Sequence, residues 1–340
     1  MLILAGPVGE TEHDGGAHPE CPARITAVMQ GVADLHLGSD LVAVDPGPAS
    51  REDLARVHST RYLDELESCA RRGGGSLDPD TYVTGTSWDA ACRAAGAGLG
   101  AIAELRARGE GIGFAVARPP GHHAERERGM GFCLVNNVAV AAASLLAARE
   151  RVLIVDWDVH HGNGTQELFW DEDAVLYVST HQWPLYPGTG KPTEVGGAGA
   201  IGTTLNIPVP PGATGDVLRR AFDDVVAPAV AEFAPDWVLV SCGFDAHRAD
   251  PLAELALSSA DFATLARTVS LYAPAAGRVV LFLEGGYDLR AVRRSTAATI
   301  GALLGEPVGP EEETFGGPGA EAVRAAAAVH RRAVSAALGA

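Results

Sequence analysis

The sequence is short of the features that mark several large classes of protein. It has five cysteines among 340 residues, at scattered positions and with no Cys-X-X-Cys pair. Their odd number and spacing argue against a disulfide framework and against a zinc site built from thiolates. Such cysteine usage is typical of a reducing compartment, so we predict a cytoplasmic protein.

Long apolar runs and basic clusters are also missing. No window reaches the roughly 18 apolar residues of a membrane-spanning helix. The start, MLILAGPVGE, has no basic region of the kind that opens a signal peptide, and we expect it to form a strand. Lysine and arginine number 26 against 43 acidic residues, for a net charge of −17. This balance predicts neither a membrane nor a nucleic acid as a direct partner, because phosphate backbones are bound by basic patches.

The chain instead alternates short apolar runs with Ala- and Leu-rich stretches. The predicted strands are Leu2–Ala5, Ile112–Ala117, Arg151–Asp156, Ala174–Ser179, Thr203–Ile207, Asp236–Ser241 and Arg278–Leu283. The predicted helices are Cys21–Leu35, Ser87–Arg108, Asn136–Arg149, Thr214–Phe233, Ser258–Ala273 and Leu289–Leu304. Alternation of this kind is typical of βαβ units, so we predict an α/β fold with a mostly parallel sheet covered on both faces.

Two further stretches bear on the organisation of the chain. Residues 319–340 are Ala-rich and predict a last helix, so we divide the chain into a domain over 1–310 and a helical appendage of that domain over 311–340. Gly96, Gly98 and Gly100 resemble a dinucleotide-binding fingerprint, which requires a turn from a strand into a helix. They lie inside a predicted helix instead, and we interpret them as sites of close helix packing.

Polar clusters follow four of the predicted strands directly. These clusters are RPPGHHA (118–124), DWDVHHGNG (156–164), CGFDAH (242–247) and EGGYD (284–288). Ligands of open parallel sheets bind beyond the carboxyl ends of the strands. We therefore expect the four clusters to converge there into one site.

A metal site is the chemistry that the second and third clusters favour. Asp158, His160 and Asp245 offer two carboxylate oxygens and one imidazole nitrogen. Three protein ligands with one open position describe a catalytic zinc rather than a structural one.

The remaining polar residues of these clusters predict proton-transfer groups. His122 and His123 are adjacent in a Pro-Pro-Gly turn, with Asp156 and Asn163 as natural partners for their rings. One ionised and one neutral partner would separate the pKa values of the two histidines. Tyr287 follows two glycines, and beside a polarised carbonyl its phenol would act as an oxyanion donor.

The motifs in this order resemble the zinc-dependent histone deacetylases, a family that includes bacterial amidohydrolases and acetylpolyamine amidohydrolases. The resemblance extends from HPECPAR (18–24) through GFCLVNN (131–137) and PGTG (187–190) to EGGYD, and Asn163 and HPECPAR are similar to class II members. It implies the arginase–deacetylase fold, with a parallel sheet of about eight strands and the active site at their carboxyl ends.

The resemblance also implies roles for individual residues. Asp158, His160 and Asp245 become the ligands of one zinc ion per chain. His123, paired with Asn163, becomes the general base and then acid, His122, paired with Asp156, its electrostatic partner, and Tyr287 the oxyanion donor. His161 is expected to support the site without binding metal.

Further positions of the chain are expected to contact the substrate or to bind a second ion. Gly131 and Phe132 would line the acyl-lysine channel, with Tyr186 on the opposite wall where the family usually has phenylalanine. Leu252 and Asp80 would lie at the rim, Asp80 in a loop over 73–87. A structural potassium ion is implied near Asp156, Asp158, His160, Ser179 and Thr180.

The function implied is hydrolysis of an N-acyl amide, most simply N6-acetyl-lysine in a protein or peptide, with release of acetate. An acetylated small amine, as in an acetylpolyamine deacetylase, is the nearest alternative. A dimanganese ureohydrolase and a catalytically silent acyl-binding protein are more distant ones. The intact metal, histidine and tyrosine positions argue against the last two.

Overall fold

The computed structural model of the chain describes residues 1–45, 47–306, 309 and 311–338. Within these ranges the strands are β1 Leu2–Val8, β2 Leu41–Val44, β3 Gly74–Asp78, β4 Thr81–Thr84, β5 Ile112–Ala117, β6 Val152–Asp156, β7 Val175–Gln182, β8 Thr204–Val209, β9 Trp237–Cys242 and β10 Val279–Leu283. The helices are α1 Ala23–Ala33, α2 Arg51–Ala55, α3 Thr60–Arg71, α4 Ser87–Arg108, α5 Asn137–Ala147, α6 Asn163–Leu168, α7 Gly215–Ala221, α8 Ala227–Phe233, α9 Ser259–Ser270, α10 Leu289–Leu304 and α11 Ala320–Leu338. A π-helical turn, Phe222–Val226, joins α7 to α8.

Eight strands form one sheet, in the order β2-β1-β5-β10-β9-β6-β7-β8. Every neighbouring pair in it is parallel. The predicted fold is therefore confirmed, and each of the seven predicted strands is present. The eighth, β2, has no counterpart among the predictions, because its four residues are partly exposed and form only a short apolar run.

The centre of the sheet brings the four polar clusters together. Strands β5, β10, β9 and β6 are consecutive neighbours, and each leads into one cluster. All residues of β6, β9 and β10 are buried, as expected for parallel strands covered on both faces. Leu153 and Val155 of β6 point into one hydrophobic core, while Val152 and Ile154 point into the other.

The segment over 73–87, expected to be a loop, contains a hairpin. Strands β3 and β4 pair antiparallel outside the main sheet, with Gly74 opposite Thr84 and Asp78 opposite Thr81. The loop prediction was wrong here because a short two-stranded hairpin has little apolar periodicity of its own. It gains its stability from the protein it rests on.

The C-terminal helix α11 packs against β8, at one edge of the sheet. Val323, Ala326 and Ala327 are its buried side chains, and the ring of His330 donates a hydrogen bond to the Gly202 carbonyl at 2.9 Å. The helix is described as far as residue 338. Residue 310, at the predicted domain boundary, and residues 339–340 lie outside the described residues, and the division into 1–310 and 311–340 stays a prediction. No described helix combines the length and apolar character needed to cross a membrane.

Gly98 lies in the middle of α4 and faces the central strand β10. A Cβ atom built there would be 2.3 Å from the ring of Phe282, which is fully buried. We expect Gly98→Ala to lower the free energy of unfolding by about 1–3 kcal/mol, because the ring has no free space to move into. Urea denaturation measures the change.

Ala103 is exposed on α4 and serves as the reference position for the Gly98→Ala variant. Ala103→Gly should lose about 0.5–1 kcal/mol through helix propensity alone. Helix propensity alone would therefore predict that Gly98→Ala raises the free energy of unfolding. A stabilised Gly98→Ala protein would contradict the close packing at this position.

Candidate active site

A cavity of about 410 Å³ opens at the carboxyl ends of the central strands. Nine residues predicted for the site line it, namely Asp80, His122, His123, Gly131, Phe132, His160, Tyr186, Leu252 and Tyr287. Four others, Asp156, Asp158, Asn163 and Asp245, are buried behind this lining. The structure thus brings the predicted site residues into one place. Asp78, Pro79, Pro120, Leu185 and Gly285 also line the cavity.

Asp158, His160 and Asp245 form a compact group of potential metal ligands. One ligand atom from each lies within 4.8 Å of the others. His160 Nδ1 is 3.2 Å from Asp158 Oδ1 and 3.3 Å from Asp245 Oδ2, and a single N–H cannot point at both oxygens. The potential metal-ligand atoms of the three side chains therefore converge on a point between them.

Backbone contacts hold the two carboxylates in this orientation. Val159 N–H donates to Asp245 Oδ1 at 2.9 Å, and Gly285 N–H donates to Asp158 Oδ2 at 2.7 Å. A Cβ atom at residue 285 would be 1.9 Å from Asp245 Oδ2, so only glycine permits this approach. Asp245 Oδ2 has no hydrogen-bond partner among the described residues although it is buried. A buried carboxylate oxygen without a donor fits a cation ligand.

The charges of Asp158, His160 and Asp245 also favour a bound cation between them. Burial raises the pKa of Asp245 to about 7, with the neighbouring Asp158 carboxylate as the second cause. Burial alone would lower the pKa of His160, but the adjacent carboxylates of Asp158 and Asp245 outweigh this and raise the pKa to about 10. Two buried carboxylates are thus stabilised by positive charge between them. Two carboxylates and one imidazole are a ligand set that suits zinc.

His122 and His123 lie side by side with ring centroids 4.0 Å apart, but their partners differ. His122 Nδ1 donates to Asp156 Oδ2 at 3.0 Å, and His123 Nδ1 donates to Asn163 Oδ1 at 2.8 Å. Burial opposes charge on both rings. At His122 the carboxylates of Asp156 and Asp158 outweigh burial and raise the pKa well above its usual value.

The pKa of the neighbouring ring, His123, is shifted in the opposite direction. Burial lowers the pKa of His123 well below its usual value, and the charge on His122 lowers it further. The shifts therefore favour a cationic His122 beside a neutral His123, although the two are adjacent in sequence. A neutral imidazole with a free Nε2 is a proton acceptor.

Tyr287 borders the same cavity as the histidines. Its backbone N–H donates to Asp250 Oδ2 at 2.7 Å, and its ring meets Phe132 edge-on with centroids 5.8 Å apart. Burial raises the pKa of Tyr287 well above its usual range, although the Arg24 guanidinium, 5.0 Å from the ring centroid, opposes the shift. The hydroxyl thus stays protonated and able to donate a hydrogen bond.

Gly131, Phe132 and Tyr186 form the walls of the cavity, as the resemblance implies. Phe132 has φ of 68°, which is uncommon outside glycine, and its N–H donates to Thr81 Oγ1 of β4 at 3.1 Å. The Tyr186 ring meets His123 edge-on at 5.2 Å. The β3–β4 hairpin and a strained backbone therefore fix the position of this wall.

The rim carries both acidic and apolar side chains. Asp80 has a carboxylate 78% exposed and lies 3.7 Å from the ring of His18. Tyr186 and Leu252 also line the cavity and are 43% and 37% exposed. A substrate entering here meets apolar surface and solvated carboxylates together.

Sequence reasoning missed two buried residues beneath the histidine turn. Glu284 accepts from the N–H groups of Gly121 at 2.7 Å and His122 at 3.2 Å, and burial raises its pKa to about 7. Cys133 lies within 4.8 Å of ligand atoms of His122 and Glu284. All five cysteines are free. Glu284 could have been identified from the sequence, because it directly follows β10 as the first residue of the EGGYD cluster.

Four further histidines are internal. His13, His58, His181 and His247 are buried, and each accepts or donates at least one hydrogen bond. His161 is buried too, and its two ring nitrogens face Thr189 Oγ1 at 2.8 Å and Gln166 Oε1 at 3.0 Å. Both nitrogens are therefore occupied away from the metal ligands.

Comparison with known proteins gives consistent results. The family model described as "Histone deacetylase domain" matches residues 18–303. The chain is 42% identical over 317 residues to Histone deacetylase 10, chloroplastic, of Oryza sativa subsp. japonica, covering 87% of this chain and 71% of the rice protein. It is 39% identical over 294 residues to a probable deacetylase of Archaeoglobus fulgidus, covering 85% of this chain and 82% of that protein. Among solved structures, the HDA15 HD domain matches with a TM-score of 0.88 and 34% identity, over 99% of this chain and 96% of that chain.

Proposed function

This chain belongs to the histone deacetylase family, and on that premise we propose that it hydrolyses N-acyl amides, with N6-acetyl-lysine in a protein or peptide as substrate and acetate as a product. The observation that carries the proposal is the meeting, around one cavity, of a metal-ligand group, a neutral histidine and a protonated tyrosine. Amide hydrolysis needs these three functions: carbonyl polarisation, proton transfer and oxyanion stabilisation.

Asp158, His160 and Asp245 are proposed to hold one zinc ion per chain. The unpartnered Asp245 Oδ2 and the two oxygens facing one imidazole nitrogen support this assignment. Zinc in such a site is a Lewis acid that polarises the acyl carbonyl and makes water more acidic. The potassium ion implied near Ser179 and Thr180 stays a prediction, and it fits the buried Thr180 hydroxyl, which has no partner among the described residues.

His123 is proposed to move the protons. Its Nδ1–H is bound by Asn163, so Nε2 is free to take a proton from the attacking water and to return one to the leaving lysine amine. His122 is positively charged beside it and stabilises the negative charge that develops on the acyl group. Tyr287 donates its hydroxyl proton in a hydrogen bond to the same oxyanion.

The rim favours an acyl-lysine peptide over an acetylated polyamine. A polyamine carries a second cation, and the carboxylates that line the cavity mouth, Asp78 and Asp80, lie where water screens their attraction. Leu185, Tyr186 and Leu252 offer apolar surface on which residues flanking the lysine can pack. The second candidate, an acetylpolyamine deacetylase, rests on Asp78 and Asp80 alone.

Zinc-loaded enzyme should release acetate from an acetyl-lysine peptide with kcat/KM about tenfold above that for acetylspermidine, a difference of about 1.4 kcal/mol. A chelator should abolish turnover, and zinc should restore it at one ion per chain. Leu252→Glu is the matched variant, since a carboxylate at the rim should improve acetylspermidine relative to the peptide.

Three results would contradict parts of this proposal. A preference for acetylspermidine in the wild-type enzyme would favour the small-amine alternative. Recovery with two manganese ions per chain, together with urea release from a guanidino substrate, would indicate a ureohydrolase. Stoichiometric peptide binding without acetate release would indicate a silent acyl-binding protein. Cytoplasmic location and the absence of a nucleic-acid partner remain predictions.

A further inference from the structure

Asn163 contacts an acidic residue, Glu125, in addition to His123. Its Nδ2 donates to Glu125 Oε1 at 2.7 Å and approaches Met130 Sδ at 3.4 Å, while its Oδ1 faces His123. The side chains thus form a chain from the cavity outwards: His123, Asn163, Glu125. Asn163 is only 6% exposed, so water has little access to this link.

The two ends of an asparagine amide are nearly equal in shape, and hydrogen bonding decides which end points where. A carboxylate and a thioether are both acceptors, and they surround the nitrogen end of Asn163. Its oxygen must therefore face His123, and His123 Nδ1 must then carry the hydrogen. The neutral ring is left with its lone pair on Nε2.

Glu125 is itself fixed on several sides. Arg128 Nη2 donates to its other carboxylate oxygen at 3.1 Å, and its N–H donates to the Arg128 carbonyl at 2.9 Å. Its carbonyl accepts from His58 Nδ1 at 2.9 Å, and His58 Nε2 accepts the Asn136 N–H at 2.9 Å. The turn that carries the Glu125 carboxylate is thus anchored to the buried protein.

We propose that Glu125 is a positioning residue that orients the Asn163 amide and thereby selects the Nδ1–H tautomer of His123. The inference rests on the proposed function, in which His123 accepts a proton at Nε2. Without the Glu125 carboxylate the amide is free to turn its nitrogen towards His123. The ring then carries its hydrogen on Nε2 and accepts no proton from water.

Glu125→Ala should lower kcat for an acetyl-lysine peptide by about 10–100-fold, the range found when the hydrogen-bond partner of a metal-binding histidine is removed. KM and zinc content should stay unchanged, because Glu125 contacts neither ligand group nor cavity wall. Glu125→Gln should lose less, since its amide oxygen still accepts from Asn163. Glu127→Gln is the control, because Glu127 lies on the same turn but its side chain bonds, among the described residues, to Ser59 and Arg61 and not to Asn163.

The tautomer itself is measured by two-bond ¹H–¹⁵N NMR on zinc-loaded, histidine-labelled enzyme, with the His123 signals assigned from His123→Gln. Wild-type and Glu127→Gln proteins should show protonated Nδ1 and unprotonated Nε2. Glu125→Ala should show both tautomers or the reverse one. This readout needs no turnover, so it tests the inference even if acetyl-lysine is not the substrate.

A double variant that exchanges the Glu125 carboxylate and the Asn163 amide provides a further test of the positioning role. Asn163→Asp places two carboxylates at the 2.7 Å separation now bridged by an amide, which should force them to share a proton and reduce kcat. In the double variant Glu125→Gln, Asn163→Asp, the new amide donates to the new carboxylate. Activity should recover relative to Asn163→Asp, because the two groups no longer have to share a proton.

Two outcomes would overturn the inference while leaving the proposed function intact. One is an active wild-type enzyme in which Glu125→Ala keeps a single Nδ1–H tautomer. The other is a double variant no better than Asn163→Asp. If Glu125→Ala does not fold, as judged by thermal unfolding, Glu125→Gln and the double variant supply the same comparison. An inactive wild-type enzyme would contradict the proposed function alone.

Discussion

Replacing His123 with alanine should lower kcat for an acetyl-lysine peptide by about 10³–10⁴-fold, at the upper end of what general acid–base catalysis contributes. The effect is large because the same ring is proposed to take a proton from water and to return one to the leaving amine. No other neutral imidazole among the described residues lines the cavity: His122 is held charged by Asp156, and His160 faces the carboxylates. Steady-state kinetics on zinc-loaded enzyme measure the loss.

Metal analysis and thermal unfolding separate this role from a structural one. His123 is not among the three proposed ligands, so His123→Ala should keep one zinc ion per chain and a nearly unchanged melting temperature. Asp245→Asn, in contrast, should lose zinc and activity together. If His123→Ala retained wild-type turnover, or lost its zinc, the proposed base would be wrong.

The sheet and the floor of the site were predictable because local signals and topology agree. Each central strand is a short apolar run buried on both faces, and each ends in residues that have no place in a core. Parallel pairing then brings these ends to one edge. Asp158, His160 and Asp245 could thus be grouped although they follow two different strands, β6 and β9.

The rim and the outer partners could not be predicted in the same way. The hairpin that carries Asp78 has almost no apolar periodicity, and its position depends on contacts such as Thr81 to Phe132. Glu125 lies in a turn of alternating arginine and glutamate, where charged side chains are usually solvated. Its contact with Asn163 spans 38 residues of sequence and depends on how two loops pack. The backbone strain at Phe132 has no sequence signature either.

Replacing Tyr287 with phenylalanine should lower kcat by about 10²–10³-fold, the usual cost of one oxyanion donor. The variant keeps the ring, so its edge-on contact with Phe132 and the cation–π contact with Arg24 remain. It loses only the hydroxyl, which burial keeps protonated and whose bond strengthens as negative charge develops on the acyl oxygen. KM should therefore change little, because the missing interaction belongs to the transition state.

Tyr272→Phe is the matched control, since it removes a half-buried hydroxyl that faces the Phe222 carbonyl at 3.4 Å, away from the cavity. It should leave kcat within about twofold of wild type, as expected when a surface-proximal group is changed far from the chemistry. Unchanged turnover in Tyr287→Phe would remove the phenol from the mechanism. A rise in KM with constant kcat would instead assign the hydroxyl to substrate binding, because ground state and transition state would then be stabilised equally.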